Sequence, residues 1–478
     1  MTNNFAGKRL RLLWSDLLGL ERGKYLYGKK AESGHTNFAI TTFVTMLDKT
    51  ILSVPGLAYD VGLADMQSRC DTGSLRPGWE PDTLVAMSDL ARDGSPLPID
   101  PRQVLRRACV PWLEMGLYPQ LAFELEFYLL APAVPGARDI RDVRDIRKFQ
   151  PIEAPAPRVY GTGPAVDPDG VLDEMARAAV ASGFPIEGFS TEFDDAQFEI
   201  NLGYRDALAA ADDAFLLRVL VREVAMRLGH RATFLGKPFA ERAGSGMHVN
   251  LSFRTTSGEN ALWDPNTADG LSLKAQRCVG GLLAHHDGLA AIFAPNVYAY
   301  RRLRPGQMNG YWANWGYDDR TAAVRIPPER GAGTRLEHRT PDGASNPYLV
   351  AAAMLHAARL GVEQGIAPPP PQRLGGKSKA SAGAGVGAGV CIPDSLPAAL
   401  AALAADTPLC AALDPELVRV FTAVKRAEWE HHKAAFPDAA PAPISAAAPT
   451  STAAPISAAA PTSTAAPDEA RAFYLSFF

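Results

Sequence analysis

Residues 121–130, LAFELEFYLL, place two glutamates inside a run that is otherwise apolar or aromatic, and no other stretch restricts the fold as tightly. Side chains of a strand alternate between faces, so Glu124 and Glu126 look one way while Phe123, Leu125 and Phe127 look the other. A sheet with one wet face accommodates such a pair. A face turned toward a cation does so as well, and the rest of the chain bears on the choice.

The chain has 478 residues, enough for a large core and more than one domain. Residues 1–100 carry short strand-like runs, FAITTFVTML and KTILSV, punctuated by Gly and Pro, and PRQVLRRACVPWLEMG then has the spacing of an amphipathic helix. From 101 to about 365, strand candidates (LAFELEFYLL, DAQFEINLGY, GMHVNLSF, AAVRIP, RLEHRT) alternate with helical ones (GVLDEMARAAVASGF, ALAAADDAFLLRVLVREVAMRL, NPYLVAAAMLHAARLGVE). The pattern predicts an α/β or α+β body on a substantial sheet. A Pro run and a Gly/Ala/Ser tract over 366–391 predict a loop, and SLPAALAALAAD and PELVRVFTAVKRAEWEHHKAAF predict further helices.

The boundaries read from these shifts are a small domain over 1–100, a large one over 101–441, a spacer over 442–467 and a tail over 468–478. The spacer contains APISAAAPTSTA twice in tandem, and that composition cannot build a core. Deleting 442–465 is expected to leave turnover unchanged, which a steady-state assay of the shortened chain checks.

Composition enters mainly by exclusion. A net charge of −4 gives no reason to expect nucleic acid or an anionic membrane as a partner. The cysteines, Cys70, Cys109, Cys278, Cys391 and Cys410, are scattered and form no C-x-x-C pair, the pattern of reduced thiols in a cytoplasmic protein. The amino-terminal LRLLWSDLLGL is broken by Arg11 and Asp16, unlike a signal peptide, and no run approaches the roughly 20 apolar residues of a membrane span.

Three further strand-like segments resemble the first. TEFDDAQFEIN supplies Glu192 and Glu199, GMHVNLSF supplies His248, and TRLEHRT sets Glu337 between Arg335 and Arg339. Each alone has an ordinary structural explanation. Together they offer five carboxylates and an imidazole, and buried carboxylates persist only when protonated or balanced by cations. An oxygen-rich set of this kind suits two divalent ions, Mg2+ or Mn2+ before zinc, of use in phosphoryl transfer. Arg302, Arg320, Arg325, Arg335 and Arg339 lie close by in sequence, and guanidinium forks hold carboxylates and phosphates.

In this order, E-x-E (124–126), E-x6-E containing Gln197, G-S-G-M-H (244–248), R-L-x-P-G (302–306), D-R-x4-R-I-P (319–327), R-x-E-x-R (335–339) and N-P-Y (346–348) resemble the glutamine synthetases and their amine-using relatives, the γ-glutamyl-amide synthetases. The resemblance runs to about residue 436. It implies an α+β fold, with a small amino-terminal β-grasp domain and a catalytic domain built on a curved antiparallel sheet. It also implies a homo-oligomer of hexameric rings, commonly stacked as a dodecamer, with sites completed by neighbouring subunits.

By the same resemblance, Glu126, Glu192 and Glu199 are ligands of a first metal, and Glu124, His248 and Glu337 of a second that sits on the nucleotide phosphates. Arg302 and Arg339 match residues that hold glutamate, with Gly244 at its amino group. Arg320, Arg325 and Arg335 match residues facing the phosphates, and Ser252 a nucleotide contact. The implied catalytic residues are Arg320, Glu337 and Arg339, and the implied reaction is ATP-dependent phosphorylation of the γ-carboxylate of L-glutamate, followed by attack of an amine nitrogen.

Five departures modify that expectation. Met308 stands where ammonia-using members keep an acidic residue, and a neutral thioether suits a larger, less polar amine. Tyr311, Trp312 and Trp315 are either core packing or the wall of an amine pocket. The combination resembles most closely the branch that makes γ-glutamyl amides from organic amines, commonly at the start of amine catabolism. Asn250, Ala243 and Ala196 replace a histidine, an asparagine and a glycine common in the family, and the stretch from Met87 to Pro101 reads as shortened, lacking one strand and its turn.

Overall fold

The computed structural model describes residues 7–133, 146–372, 389–437 and 469–478. The tandem repeat and most of the Gly/Ala tract lie outside the described residues.

The first sheet is built from β1 (Arg9–Ser15), β2 (Glu21–Leu26), β3 (His35–Ala39), β4 (Asp65–Cys70), β5 (Arg76–Pro77), β6 (Thr83–Arg92) and β7 (Ser95–Pro96), with the one-turn helix α1 (Lys29–Ser33) before β3. Its order is β2-β1-β6-β4-β3. The sheet is mixed: β1 runs parallel to β6 and antiparallel to β2. The stretch from Met87 forms the second half of β6, where Ser88–Ala91 pair antiparallel with β4 while Thr83–Met87 pair with β1. One strand thus serves both halves of the sheet.

Two sequence expectations fail here. FAITTFVTML keeps only Phe38 and Ala39 in a strand, because Ile40–Val44 wind into a 3-10 turn. That turn buries Ile40, Phe43 and Val44, and Phe43 packs 5.0 Å from the Trp14 ring, a set that strand alternation would divide between two faces. KTILSV contributes a single bridge, Thr45 to Ile51, and no strand.

Helix α2 (Pro101–Glu114) leads into the second sheet, which comprises β8 (Leu117–Pro132), β9 (Phe149–Pro151), β10 (Ile186–Thr191), β11 (Gln197–Leu202), β12 (Arg205–Asp206), β13 (Arg231–Thr233), β14 (Met247–Thr255), β15 (Trp315–Tyr317), β16 (Val324–Ile326) and β17 (Leu336–His338). Its order is β10-β11-β8-β14-β17-β16-β15, with β9, β12 and β13 also pairing with β8. Every pairing is antiparallel except β15 with β16.

The helices are α3 (Val171–Ala181), α4 (Ala207–Arg227), α5 (Leu273–Ala284), α6 (His286–Phe293), α7 (Ala299–Arg302), α8 (Pro347–Glu363), α9 (Leu396–Ala405), α10 (Thr407–Leu413), α11 (Pro415–Ala435) and α12 (Glu469–Leu475). Helix α8 starts at Asn346, whose side chain accepts the N–H groups of Tyr348 and Leu349, with Pro347 in the first turn, a favourable helix start. It crosses α5 where Gly281 and Gly361 meet, so closely that a Cβ on either would overlap the other's backbone. No single helix among the described residues is long and apolar enough to cross a membrane.

The two sheets share one continuous hydrophobic core. Guanidiniums also join them: Arg11 of β1 pairs with Glu223, Arg76 of β5 with Asp213 and Arg222 with Glu21 of β2, and Arg102 of α2 bonds Asp212 of α4 at 2.9 and 2.8 Å, Asp89 of β6 at 2.5 Å and Asp71, just after β4, at 2.6 Å.

Candidate active site

Strand alternation builds the site. On β8, Phe123, Leu125 and Phe127 are fully buried, which turns Glu124 and Glu126 to the other face. On β14, Met247, Val249, Leu251 and Phe253 fill the core, so His248, Asn250 and Ser252 share the opposite face. The register then aligns these residues across strands: Glu199 lies opposite Glu126, Glu124 opposite His248, and Glu337 opposite both Asn250 and Arg325. Directly opposed positions are close enough for side chains to interact.

Two groups of potential ligand atoms result, each with its members within 4.8 Å of one another: Glu124, His248 and Glu337, and Glu126, Glu199 and His248. The first coincides with the set expected from the sequence. The second contains His248 where Glu192 was expected, because Glu192 stands on the turn after β10, outside the sheet. Its N–H donates to the Gln197 carbonyl at 2.8 Å, and the turn passes through Ala196 at φ 62°, a left-handed conformation that a non-glycine residue adopts at some cost.

The electrostatics are those of an under-neutralised carboxylate cluster. Burial, reinforced by Glu124, Glu126 and Glu192, pushes the Glu199 carboxyl up to about 9. Burial and Glu126 push Glu192 up to about 7. Burial would raise Glu124 too, but the hydrogen bond and charge of His248, with the Asn250 amide, hold it below the usual carboxylate range. His248 Nδ1 lies 3.2 Å from Glu124 Oε2, and Nε2 lies 3.6 Å from Glu126 Oε1. Convergent carboxylate oxygens with surplus negative charge fit hard divalent cations.

Arginines border the cluster. Glu337 takes Arg325 Nη1 on Oε2 at 2.5 Å and Arg339 Nη1 on Oε1. Arg339 Nε donates to the Arg320 carbonyl at 3.0 Å, while the Arg320 side chain is exposed and its charge acts on Glu192. Arg335 Nε donates to Asn250 Oδ1 at 3.1 Å, and Asn250 Nδ2 donates to Glu124 Oε1 at 2.8 Å. One amide therefore ties a carboxylate of the cluster to an arginine, and the alternation of 248, 250 and 252 is the sequence signal that places that amide on the same face as His248. Ser252 is half-buried opposite Gln120.

Arg302 is buried at the end of α7, donating to the Thr340 carbonyl at 2.8 Å and the Arg339 carbonyl at 3.1 Å. A Cβ at Gly244 or Gly246 would overlap its side chain, so glycine is required for this approach. The Gly246 N–H also donates to Glu126 Oε2 at 2.6 Å. Gly246 enters the sequence reading only as part of G-S-G-M-H, and the buried Asp342, the main charge offsetting the desolvation of Arg302, was not singled out there, because it depends on a chain crossing that spacing does not reveal.

Met308 is 51% exposed on the loop after α7, whose next residue, Asn309, is buried and donates through its amide to the Arg302 carbonyl. Of the three aromatic candidates, Tyr311 and Trp315 are buried, and Trp315 Nε1 donates to the Pro369 carbonyl at 2.6 Å. They are core packing. Trp312 is half-buried, edge-on to Tyr311 at 4.9 Å. A separate cleft of about 300 Å3 on the first sheet, bordered by Lys24, Lys30, His35 and Asp65, contains none of these residues.

Residues 98–440 match the family described as glutamine synthetase, catalytic domain. The γ-glutamylputrescine synthetase PuuA of Escherichia coli (strain K12) is 34% identical over 370 residues, covering 74% of this chain and 75% of that protein. The glutamate–isopropylamine ligase of a Pseudomonas species is 30% identical, covering 76% and 79%. A glutamine synthetase of Clostridium saccharobutylicum is 38% identical over 58% of this chain and 60% of its own length. Among solved structures, a GmaS complex with ADP superposes with a TM-score of 0.75 at 30% identity, covering 91% of this chain and 97% of that one.

Proposed function

The chain belongs to the glutamine synthetase family, whose members are ATP-dependent ligases that form carbon–nitrogen bonds, and from that premise we propose that it joins the γ-carboxylate of L-glutamate to a small organic amine. ATP phosphorylates the carboxylate, so that phosphate replaces oxide as leaving group when the amine nitrogen attacks. Divalent ions, Mg2+ or Mn2+ and two per site in this reading, neutralise phosphate charge when bound.

The chain's own residues have the following parts. Glu124, His248 and Glu337 would hold one ion, on the nucleotide side in this reading, and Glu126 and Glu199, with Glu192 from its turn, would hold the other. Arg302 and Arg339, with Gly244, orient glutamate. Arg320, Arg325 and Arg335 face the phosphates, and Ser252 contacts the nucleotide. In this reading the protein acts in the cytoplasm as hexameric rings stacked in a dodecamer.

The observation that carries the choice of amine is Met308, an exposed thioether on the loop tied to Arg302. With no charge it neither attracts ammonium nor accepts its proton, and it offers apolar contact to an alkyl or aryl group. Half-buried Trp312 is the aromatic of its segment left to meet a protonated amine. Two relatives named for putrescine and isopropylamine products support the reading.

The test is ADP release by the purified protein with L-glutamate, ATP and Mg2+ or Mn2+, across ammonium, methylamine, isopropylamine, ethanolamine, putrescine and aniline, with product masses recorded. An organic amine is expected to exceed ammonium. Met308→Glu is expected to shift the kcat/KM ratio toward ammonium by roughly tenfold, about 1.4 kcal/mol of differential transition-state binding. Turnover with ammonium alone would make the protein a glutamine synthetase, and no ATP binding in the presence of Mn2+ would make it a non-catalytic assembly protein.

A further inference from the structure

The last residues of the chain, which follow the tandem repeat, dock beneath the segments assigned to glutamate. A main-chain oxygen of Phe478 accepts the Phe234 N–H at 2.6 Å, and the Phe477 carbonyl accepts Arg222 Nη1 of α4 at 2.5 Å. Tyr474 and Phe478 are 1% and 5% exposed, so this terminus is built into the fold.

Two contacts connect it to the site. The Tyr474 ring lies 5.3 Å from Tyr298, which precedes α7, the four-residue helix that ends at Arg302. The Arg471 guanidinium lies 5.4 Å from the centre of the Phe239 ring. Phe239 meets the Tyr128 ring edge-on at 5.4 Å, and the Tyr128 hydroxyl donates to the Ala243 carbonyl at 2.9 Å, one residue before Gly244. On its other side the tail rests on α11, with Phe473 5.5 Å from His431 and Tyr474 5.7 Å from His432.

We infer that the tail 469–478 is a strap that fixes segment 234–246 and helix α7 relative to each other, with Arg471 and Tyr474 as positioning residues for the glutamate subsite. The inference rests on the glutamate assignment of Gly244 and Arg302. Arg302 is buried, with 5% of its surface exposed, and Gly244 packs directly on it, so a displacement of either segment disturbs the subsite, whereas the described contacts of the tail include none with Asn250 or Ser252 of β14 or with Arg335 just before β17. The strap therefore acts on glutamate and not on nucleotide.

In the full chain, Arg471→Ala is expected to raise KM for glutamate about three- to tenfold, with KM for ATP within twofold, the loss expected for one aromatic-cation contact. Arg471→Lys recovers part of it. A chain ending at Asp468 is expected to lose more, and the peptide EARAFYLSFF added in trans to restore it saturably. Hydrogen exchange in 234–246 and 298–302 is expected to rise in both variants, a readout independent of the substrate. Unchanged exchange in those segments, or equal rises in both KM values, overturns the strap. Absence of glutamate-dependent ADP release in the unaltered protein overturns the glutamate assignment instead, and exchange still decides the strap.

Discussion

Glu337→Gln is expected to lower kcat/KM for glutamate-dependent ADP release by about a thousandfold, roughly 4 kcal/mol of transition-state stabilisation. Glu337 is 1% exposed, and both of its oxygens accept a guanidinium, from Arg325 and from Arg339. Glutamine keeps the shape but removes a charge that offsets two arginines, and it turns an amide donor toward one of them. The residue also belongs to the compact group with Glu124 and His248, so in the proposed function an ion held there would lose a ligand in the same step. Removing a partner that merely orients a metal ligand costs 10- to 100-fold, and removing a ligand that also balances two arginines, one proposed to face the phosphates and one to hold glutamate, costs more.

The accompanying measurement is thermal stabilisation by Mn2+. A ligand present at 100 times its dissociation constant stabilises the native state by about 2.7 kcal/mol, and the variant is expected to lose most of that increment. Wild-type turnover in Glu337→Gln would remove the residue from the reacting centre. Lost turnover with Mn2+ stabilisation intact would keep it there as a partner of the arginines and take away its role as a ligand.

The site was legible where strand periodicity met unusual residues. Two glutamates in an apolar strand cannot both be core, and their common face follows from alternation alone; the same rule places His248, Asn250 and Ser252 together on β14. The long helices were legible from their spacing and starts, as α8 shows with Asn346 and Pro347.

What was not legible depends on contacts between distant segments. Ile40–Val44 have the β-branched composition of a strand, yet they turn because Phe43 must reach Trp14. Glu192 was read with the strand residues, but it lies on a turn and stays outside the compact group. AFYLSFF is too short and too far from any partner in sequence for its docking to be read. Likewise, nothing in the spacing around Arg102 reveals that its guanidinium meets carboxylates from three separate segments.

That guanidinium carries the largest stability prediction. Arg102→Met is expected to destabilise the fold by about 3–5 kcal/mol, the usual cost of removing one partner of a buried ion pair. Arg102 is 2% and Asp212 3% exposed. Burial by itself would lower the arginine's pKa, and the charge and hydrogen bonds of Asp212, with the charges of Tyr348 and Asp89, outweigh it, so the group is held well above its ordinary value. Without it Asp212 keeps one neutral donor, the Tyr348 hydroxyl at 2.7 Å, while Asp71 and Asp89 are half-buried and regain water. Most of the cost therefore lies at Asp212. The double variant Arg102→Met/Asp212→Asn removes the stranded charge and is expected to be more stable than Arg102→Met alone, a non-additivity that urea midpoints of the four proteins measure. Because Asp71 and Asp89 belong to the first sheet and Asp212 to the second body, the single variant is also expected to show faster hydrogen exchange in β4 and β6 before α4 opens. Simple additivity, with exchange unchanged in those strands, would mean that the shared hydrophobic core and the ion pairs of Arg11, Arg76 and Arg222 hold the two sheets together without Arg102.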